Sequence, residues 1–184
     1  EELVRDHAIG DAQPTTTGFD EYAGEHVRVW DSKGLEPGER EEEFAEMLTT
    51  FIRERRETPD ADEHVHLVWY AIQAPGARVT DCDIRLLAEV LASEHVIVVL
   101  TKSDIARDEQ IEAMRSVLTD AGIDPKRIIP VSDAKSGSIG CREIVELSHT
   151  MLPKAYQDSF LEAQRIDREA KEKAIIAKRA TAAG

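Results

Sequence analysis

The feature that most narrows what this chain can fold into is an apolar run with a charged end, HVIVVLTKSD, His95–Asp104. A β-branched run of this length reads as a strand buried on both faces, which is the habit of parallel sheets. In open parallel sheets, ligands gather beyond the carboxyl ends of the strands. Lys102 and Asp104 therefore stand where a ligand would stand. A polar loop start that caps the next helix would explain one such tetrapeptide just as well, so companions elsewhere in the chain must decide.

The rest of the sequence alternates strand and helix patterns around that run. GDAQPTTTGFDEY, Gly10–Tyr22, is rich in turn residues and Thr and reads as an extended surface loop. In EHVRVWDSKG, Val27 and Val29 alternate with His26 and Arg28, a half-buried strand running into Asp31. Pro37 opens a helix to about Glu57, with Phe44, Met47, Leu48, Phe51 and Ile52 on one face. Its glutamates lie at the start and its arginines at the end, which suits the helix dipole and needs no binding role. VHLVWYAIQA, Val65–Ala74, is a strand, and VTDCDIRLLAEVLAS a helix whose Asp81 and Asp83 are read as first-turn acids, not as a catalytic pair. RDEQIEAMRSVLTDAG is a helix with Ile111, Met114, Val117 and Leu118 inward, closed by Gly122. RIIPV, Arg127–Val131, is a short strand. A loop with Gly137 and Gly140 then leads into a helix through Leu152, before Pro153 and a charged helical tail. Trp30, Trp69 and Tyr70 fall in strands and are expected in the core. This alternation predicts an α/β fold, a doubly wound, mostly parallel sheet with helices on both faces, spanning 1–152, with 153–184 as a tail or connector.

Composition limits the partners. With 23 Lys and Arg against 37 Asp and Glu among 184 residues, the formal charge of −14 would repel a phosphate backbone, so no direct nucleic-acid binding is expected. Residues 153–184 reverse the balance, with 7 basic and 5 acidic side chains. Two cysteines, Cys82 and Cys141, make no disulfide framework and no metal-ligand spacing, which points to a reducing, cytoplasmic setting. His64, His66 and His149 have no ligand-spaced companions. No apolar run approaches the roughly 20 residues that span a bilayer.

Three strands end in polar segments of a particular kind. The strand to Trp30 delivers Asp31-Ser-Lys-Gly34, in which a carboxylate can hold magnesium through water and a glycine lets a backbone N–H approach a phosphate. The strand to Leu100 delivers Thr101-Lys102-Ser103-Asp104. A carboxylate there can accept two hydrogen bonds from guanine, while a Lys stem covers the ring. The strand to Val131 delivers Ser132-Asp133-Ala134-Lys135-Ser136-Gly137, a tight loop whose N–H groups could reach a guanine carbonyl.

TTTGF, DSKGL, TKSD and SDAKSG resemble, in order, four of the five signature segments of P-loop GTPases. The hydrophobic Leu35 after D-x-x-G makes the Era/TrmE-like branch the closest in kind. The resemblance covers roughly residues 10 to 152. It implies a switch that binds GTP or GDP with Mg2+, hydrolyses GTP slowly and acts on an unidentified protein effector. In that scheme Thr17 and Asp31 hold magnesium, Gly34 senses the γ-phosphate, and Thr101, Lys102, Asp104, Ser132, Ala134 and Lys135 read the base. Catalysis in the family is mostly positioning and charge neutralisation. Leu35 cannot act as a base, which leaves a water positioned by switch backbone or by a partner's side chain.

The chain departs from the family pattern. Lys33 replaces the usual Pro or Ala, Thr101 replaces the commoner Asn, and SDAK is one residue longer than S-A-K, so either Asp133 or Ala134 contacts the base. No G-x-x-x-x-G-K-[ST] occurs among the 184 residues, and the tail offers no glycine loop that a circular permutation would place there. The expectation is a fragment whose parent begins some tens of residues upstream and which binds GTP weakly by itself. The phosphate-loop strand is expected between 65–74 and 95–100. Without it those two strands would leave a gap, be bridged by a second copy, or move together. Tyr156, Phe160 and Ala163 recur at helical spacing, and the tail is expected to leave the domain toward a membrane surface or a partner. Two rivals remain: a pseudo-GTPase scaffold with no productive phosphate binding, and another doubly wound binding domain, flavodoxin-like.

Overall fold

A computed structural model describes residues 18–163 apart from 25, 35–40 and 135–136. The chain divides into two compact units: residues up to Lys33 together with those from Pro153 onward, and Gly34–Leu152.

In the first unit, β1 (Phe19–Ala23) and β2 (Arg28–Ser32) form an antiparallel hairpin that pairs Asp20 with Asp31 and Glu21 with Trp30. A strand does run into Asp31, but it starts at Arg28, and Val29, expected on its buried side, is 42% exposed. Phe19–Tyr22 is strand instead of loop, because the partner strand satisfies the backbone of a segment whose composition alone reads as coil. The unit also holds a helix over Lys154–Ala163 with Phe160 buried, so the helical spacing of Tyr156, Phe160 and Ala163 is realised.

The second unit is built on a sheet of four strands in the order β3 (Val68–Gln73), β4 (Val96–Thr101), β5 (Ile128–Ala134), β6 (Gly137–Ile139). The first three are parallel and β6 runs antiparallel to β5. In chain order its helices are α1 (Glu41–Glu57), α2 (Asp81–Arg85, continued by a π-helical turn over Leu86–Val90), α3 (Asp108–Asp120) and α4 (Cys141–Met151). One sheet face carries Ile72, Val98, Leu100 and Ile128, which form a single core with Ile52 of α1, Leu87 and Leu91 around the π turn, and Met114 and Leu118 of α3. On the opposite face, Ile97, Val99 and Ile129 are buried, and the Trp69 Nε1–H donates to Ser148 Oγ of α4 at 2.9 Å. β4 is thus buried on both faces, as its β-branched run requires.

Among the described residues no strand lies between 65–74 and 95–100, and of the arrangements expected without one, the two strands standing together is the one present. β3 and β4 are hydrogen-bonded neighbours in unbroken register from Val68↔Val96 to Gln73↔Thr101. The α2 crossover is long enough to bring two parallel strands side by side, so their facing N–H and C=O groups satisfy one another. It is the other edge of β3 that has no strand partner among the described residues.

Three further expectations need correction. Val117 is 42% exposed, because α3 turns only Met114 and Leu118 fully inward. Trp69 is 47% exposed, lying near the uncovered end of its sheet face. The Ser132–Gly137 segment is not a tight loop, because β5 continues through Ala134 and folds back as β6, pairing Ser132 with Ile139 and Ala134 with Gly137.

Helix starts behave as ordinary chemistry predicts. Thr80 Oγ1 accepts from Asp83 N at 3.1 Å, and Asp83 accepts from the Thr80 N–H and hydroxyl and from the Tyr70 hydroxyl. Burial and the Asp83 carboxylate together push the Tyr70 phenol well above its ordinary pKa, which keeps it a donor. Asp83 is therefore a structural anchor, and the capping role of the DCD acids stands. Thr80→Ala is expected to cost about 1 kcal/mol in urea denaturation. An unchanged midpoint would mean that the cap carries no stability.

Candidate nucleotide-base site

Parallel register sets Gln73 and Thr101, the last residues of β3 and β4, side by side, with Val131 of β5 next to Thr101 and β5 running on to Ala134. Beyond Thr101 the chain turns at once. Lys102 adopts left-handed backbone (φ 56°, ψ 36°) and caps a short 3-10 turn over Ser103–Ile105, closed by Ile105 N–H donating to Lys102 O at 3.3 Å. A left-handed conformation costs a Lys roughly 1–2 kcal/mol relative to right-handed backbone. Residues held in such conformations concentrate at functional sites. Here the turn reverses the chain within one residue, which keeps Lys102 and Asp104 at the strand end instead of carrying them into the α3 approach. Both side chains are exposed, as ligand-facing groups must be.

The hydroxyls of Ser103, between them, and of Ser132 on β5 are not exposed. Ser103 is 6% and Ser132 5% accessible, and neither hydroxyl has a hydrogen-bond partner among the described residues. Buried hydroxyls ordinarily find partners, so Ser103 at the start of the 3-10 turn and Ser132 within β5 each leave room for a bound water. The Ser132 carbonyl receives the Cys141 thiol at 3.4 Å, which ties the end of β5 to the start of α4. Thr101 Oγ1 reaches back to Ile72 O at 3.4 Å, and Lys102 Nζ donates to Gln73 Oε1 at 3.2 Å.

Of the residues expected from sequence, the structure brings Thr101, Lys102 and Asp104 to the carboxyl end of β4, while Ser132 lies within the neighbouring β5 and pairs with Ile139 of β6. Ala134 follows as the last residue of β5, paired with Gly137. Gly34 is exposed, and its open surroundings would accept a Cβ. Thr17 and Lys135 lie outside the described residues. Asp31 sits half-buried on the hairpin opposite Asp20, and its carboxyl is raised above the ordinary range by burial and then by the Asp20 charge. A carboxylate is a hard oxygen donor of the kind magnesium takes one or two at a time, with water and phosphate completing its shell. Among the described residues no cluster of three or more metal-ligating side chains occurs.

Two participants escaped the sequence reading. Gln73 ends an apolar strand with a polar side chain, the same signal that singled out Lys102, but in a weaker residue type. Ser103 is the interior residue of TKSD, and nothing in the sequence marks its burial. The left-handed backbone at Lys102 gives its own prediction: Lys102→Gly is expected to raise stability by about 0.5 kcal/mol, the strain released less the extra freedom of the unfolded chain. A clear loss of stability in urea would show that the turn is not strained.

Among the described residues, no helix is long and apolar enough to cross a membrane. No family model, curated protein or solved structure matches this chain.

Proposed function

We propose that this chain is the guanine-nucleotide-binding part of a P-loop GTPase of Era/TrmE-like type, a cytoplasmic molecular switch that hydrolyses GTP slowly. The observation that carries the reading is the Lys102 turn: a strained, exposed Lys and an exposed Asp104, set two residues apart at the end of a buried parallel strand, beside the buried Ser132. Chemically, that arrangement suits a guanine ring. Asp104 accepts from N1–H and the exocyclic amine, the Lys102 stem covers one ring face, and the β5–β6 hairpin supplies backbone N–H groups toward the base carbonyl. By the resemblance, Thr17 and Asp31 would hold magnesium, which supplies charge neutralisation for phosphates. Sequence order supports the same assignment, since TTTGF, DSKGL, TKSD and SDAKSG follow the family's sequence of signatures.

The edge of β3 that has no strand partner among the described residues, and the exposed Trp69 on that strand, favour a second reading, a pseudo-GTPase scaffold that binds a protein partner without productive phosphate chemistry. Base selectivity separates the two. In a chemical-shift titration of the 15N-labelled chain, guanosine is expected to shift the amides of 101–104 and 132–134, while adenosine leaves them in place. Equal responses to both nucleosides, or none to either, would remove the guanine site and leave the scaffold.

A further inference from the structure

We infer that Gln73 is a positioning residue of the base site, the group that lays the Lys102 side chain across the strand ends; this rests on the guanine reading above. An exposed Lys side chain has much rotamer freedom to lose, so an unrestrained Lys makes a poor surface for a flat ligand. At Lys102 both ends of the side chain are fixed. The left-handed backbone aims the Cα–Cβ bond, and the ammonium donates to Gln73 Oε1 at 3.2 Å. Because Gln73 is the register partner of Thr101, the clamp draws the Lys stem back from the end of β4 over the end of β3. The four methylenes then run from the end of β4 toward the end of β3.

The identity of the clamp matters as much as its position. Gln73 is neutral, so it directs the ammonium without cancelling its charge, and a ligand oxygen still meets a cation. A Glu would offer the same acceptor geometry and neutralise that charge. Gln73 is itself exposed and ends its strand, so substitutions of its side chain should leave the fold intact.

Two readouts keep the positioning role and the guanine reading apart. Without any ligand, 15N relaxation of the Lys102 ammonium group reports its mobility. Gln73→Leu is expected to free it, and Gln73→Glu to keep it held. If Gln73→Leu leaves the Lys102 ammonium as ordered as before, the positioning role is wrong, whatever the protein binds. With guanosine added, Gln73→Leu is expected to weaken binding about fivefold, as loss of one exposed hydrogen bond to a charged group would. Gln73→Glu should bind guanosine within about twofold of the original chain, because the nucleoside carries no phosphate to sense the lost charge. In a Lys102→Ala background, Gln73→Leu should have no further effect. A loss of equal size in that background would show that Gln73 acts through some other group and would overturn the inference. Ordered Lys102 with no guanosine binding in the unsubstituted chain would leave the clamp standing and defeat the guanine reading alone.

Discussion

Asp104→Asn is expected to invert the base preference of the protein from guanine to xanthine. Guanine presents two adjacent donors, N1–H and the exocyclic amine, and a carboxylate accepts both. An Asn side chain offers one acceptor and one donor, which leaves the guanine amine facing an N–H. Xanthine keeps N1–H but carries a carbonyl in place of the amine, so the amide pairs with it fully. Losing a charge-assisted two-point contact costs about 3 kcal/mol, roughly a hundredfold in affinity. Asp104 is exposed at the head of its turn and supports no other group, so the substitution should not disturb the sheet. Titrating the variant with guanosine and with xanthosine checks the prediction. An unchanged preference would remove Asp104 from the base site.

The largest effect on stability is expected at Gly140. Its backbone is left-handed (φ 66°), and a Cβ built there would lie 2.0 Å from Pro130 O, 3.1 Å from Pro130 C and 3.2 Å from Val131 Cγ2. The first two are backbone atoms and cannot swing aside. Gly140 caps α4, so the clash would force the helix away from β5. Pro130 itself sits where β5 pairs with β4 alone, since β6 begins its pairing at Ser132, and a missing N–H costs nothing on that open edge. The close approach of Gly140 thus closes a stretch of β5 that no strand covers. Gly140→Ala is expected to cost about 3 kcal/mol or more, from the left-handed penalty and the overlap together. That is a large share of the 5–15 kcal/mol typical of a domain. Urea denaturation should show it directly, and a loss under about 1 kcal/mol would mean that the helix start shifts with little resistance.

Much of this architecture was legible in the residues because two periods dominate the chain. The run at His95–Leu100 could only be a strand buried on both faces, and its polar end could only lie at a carboxyl edge. Ile52, Met114 and Leu118 recur at helical spacing and do meet in one core. What the patterns missed depended on partners distant in sequence. Ser132-Asp133-Ala134 looks like a loop by composition, yet it is strand because Gly137–Ile139 folds back and pairs with it. Phe19–Ala23 alternates too weakly to be read alone, and the hairpin with Arg28–Ser32 makes it a strand. Trp69 has the residue type of a core position, but its end of the sheet face is left largely uncovered. The candidate site divides in the same way. Lys102 and Asp104 were visible as a polar strand ending, and Ser132 as a polar residue after an apolar run. Gln73 was not, because its part depends on a hydrogen bond to a residue 29 positions away.

The most direct test of the base site is an isotope-filtered nuclear Overhauser experiment on the labelled chain with guanosine. The account predicts contacts from the guanine H8 and ribose H1′ protons to the Lys102 methylenes, with further contacts near Ser103 and Ser132. Contacts confined to the exposed Trp69 face of the sheet, with none to Lys102, would contradict it.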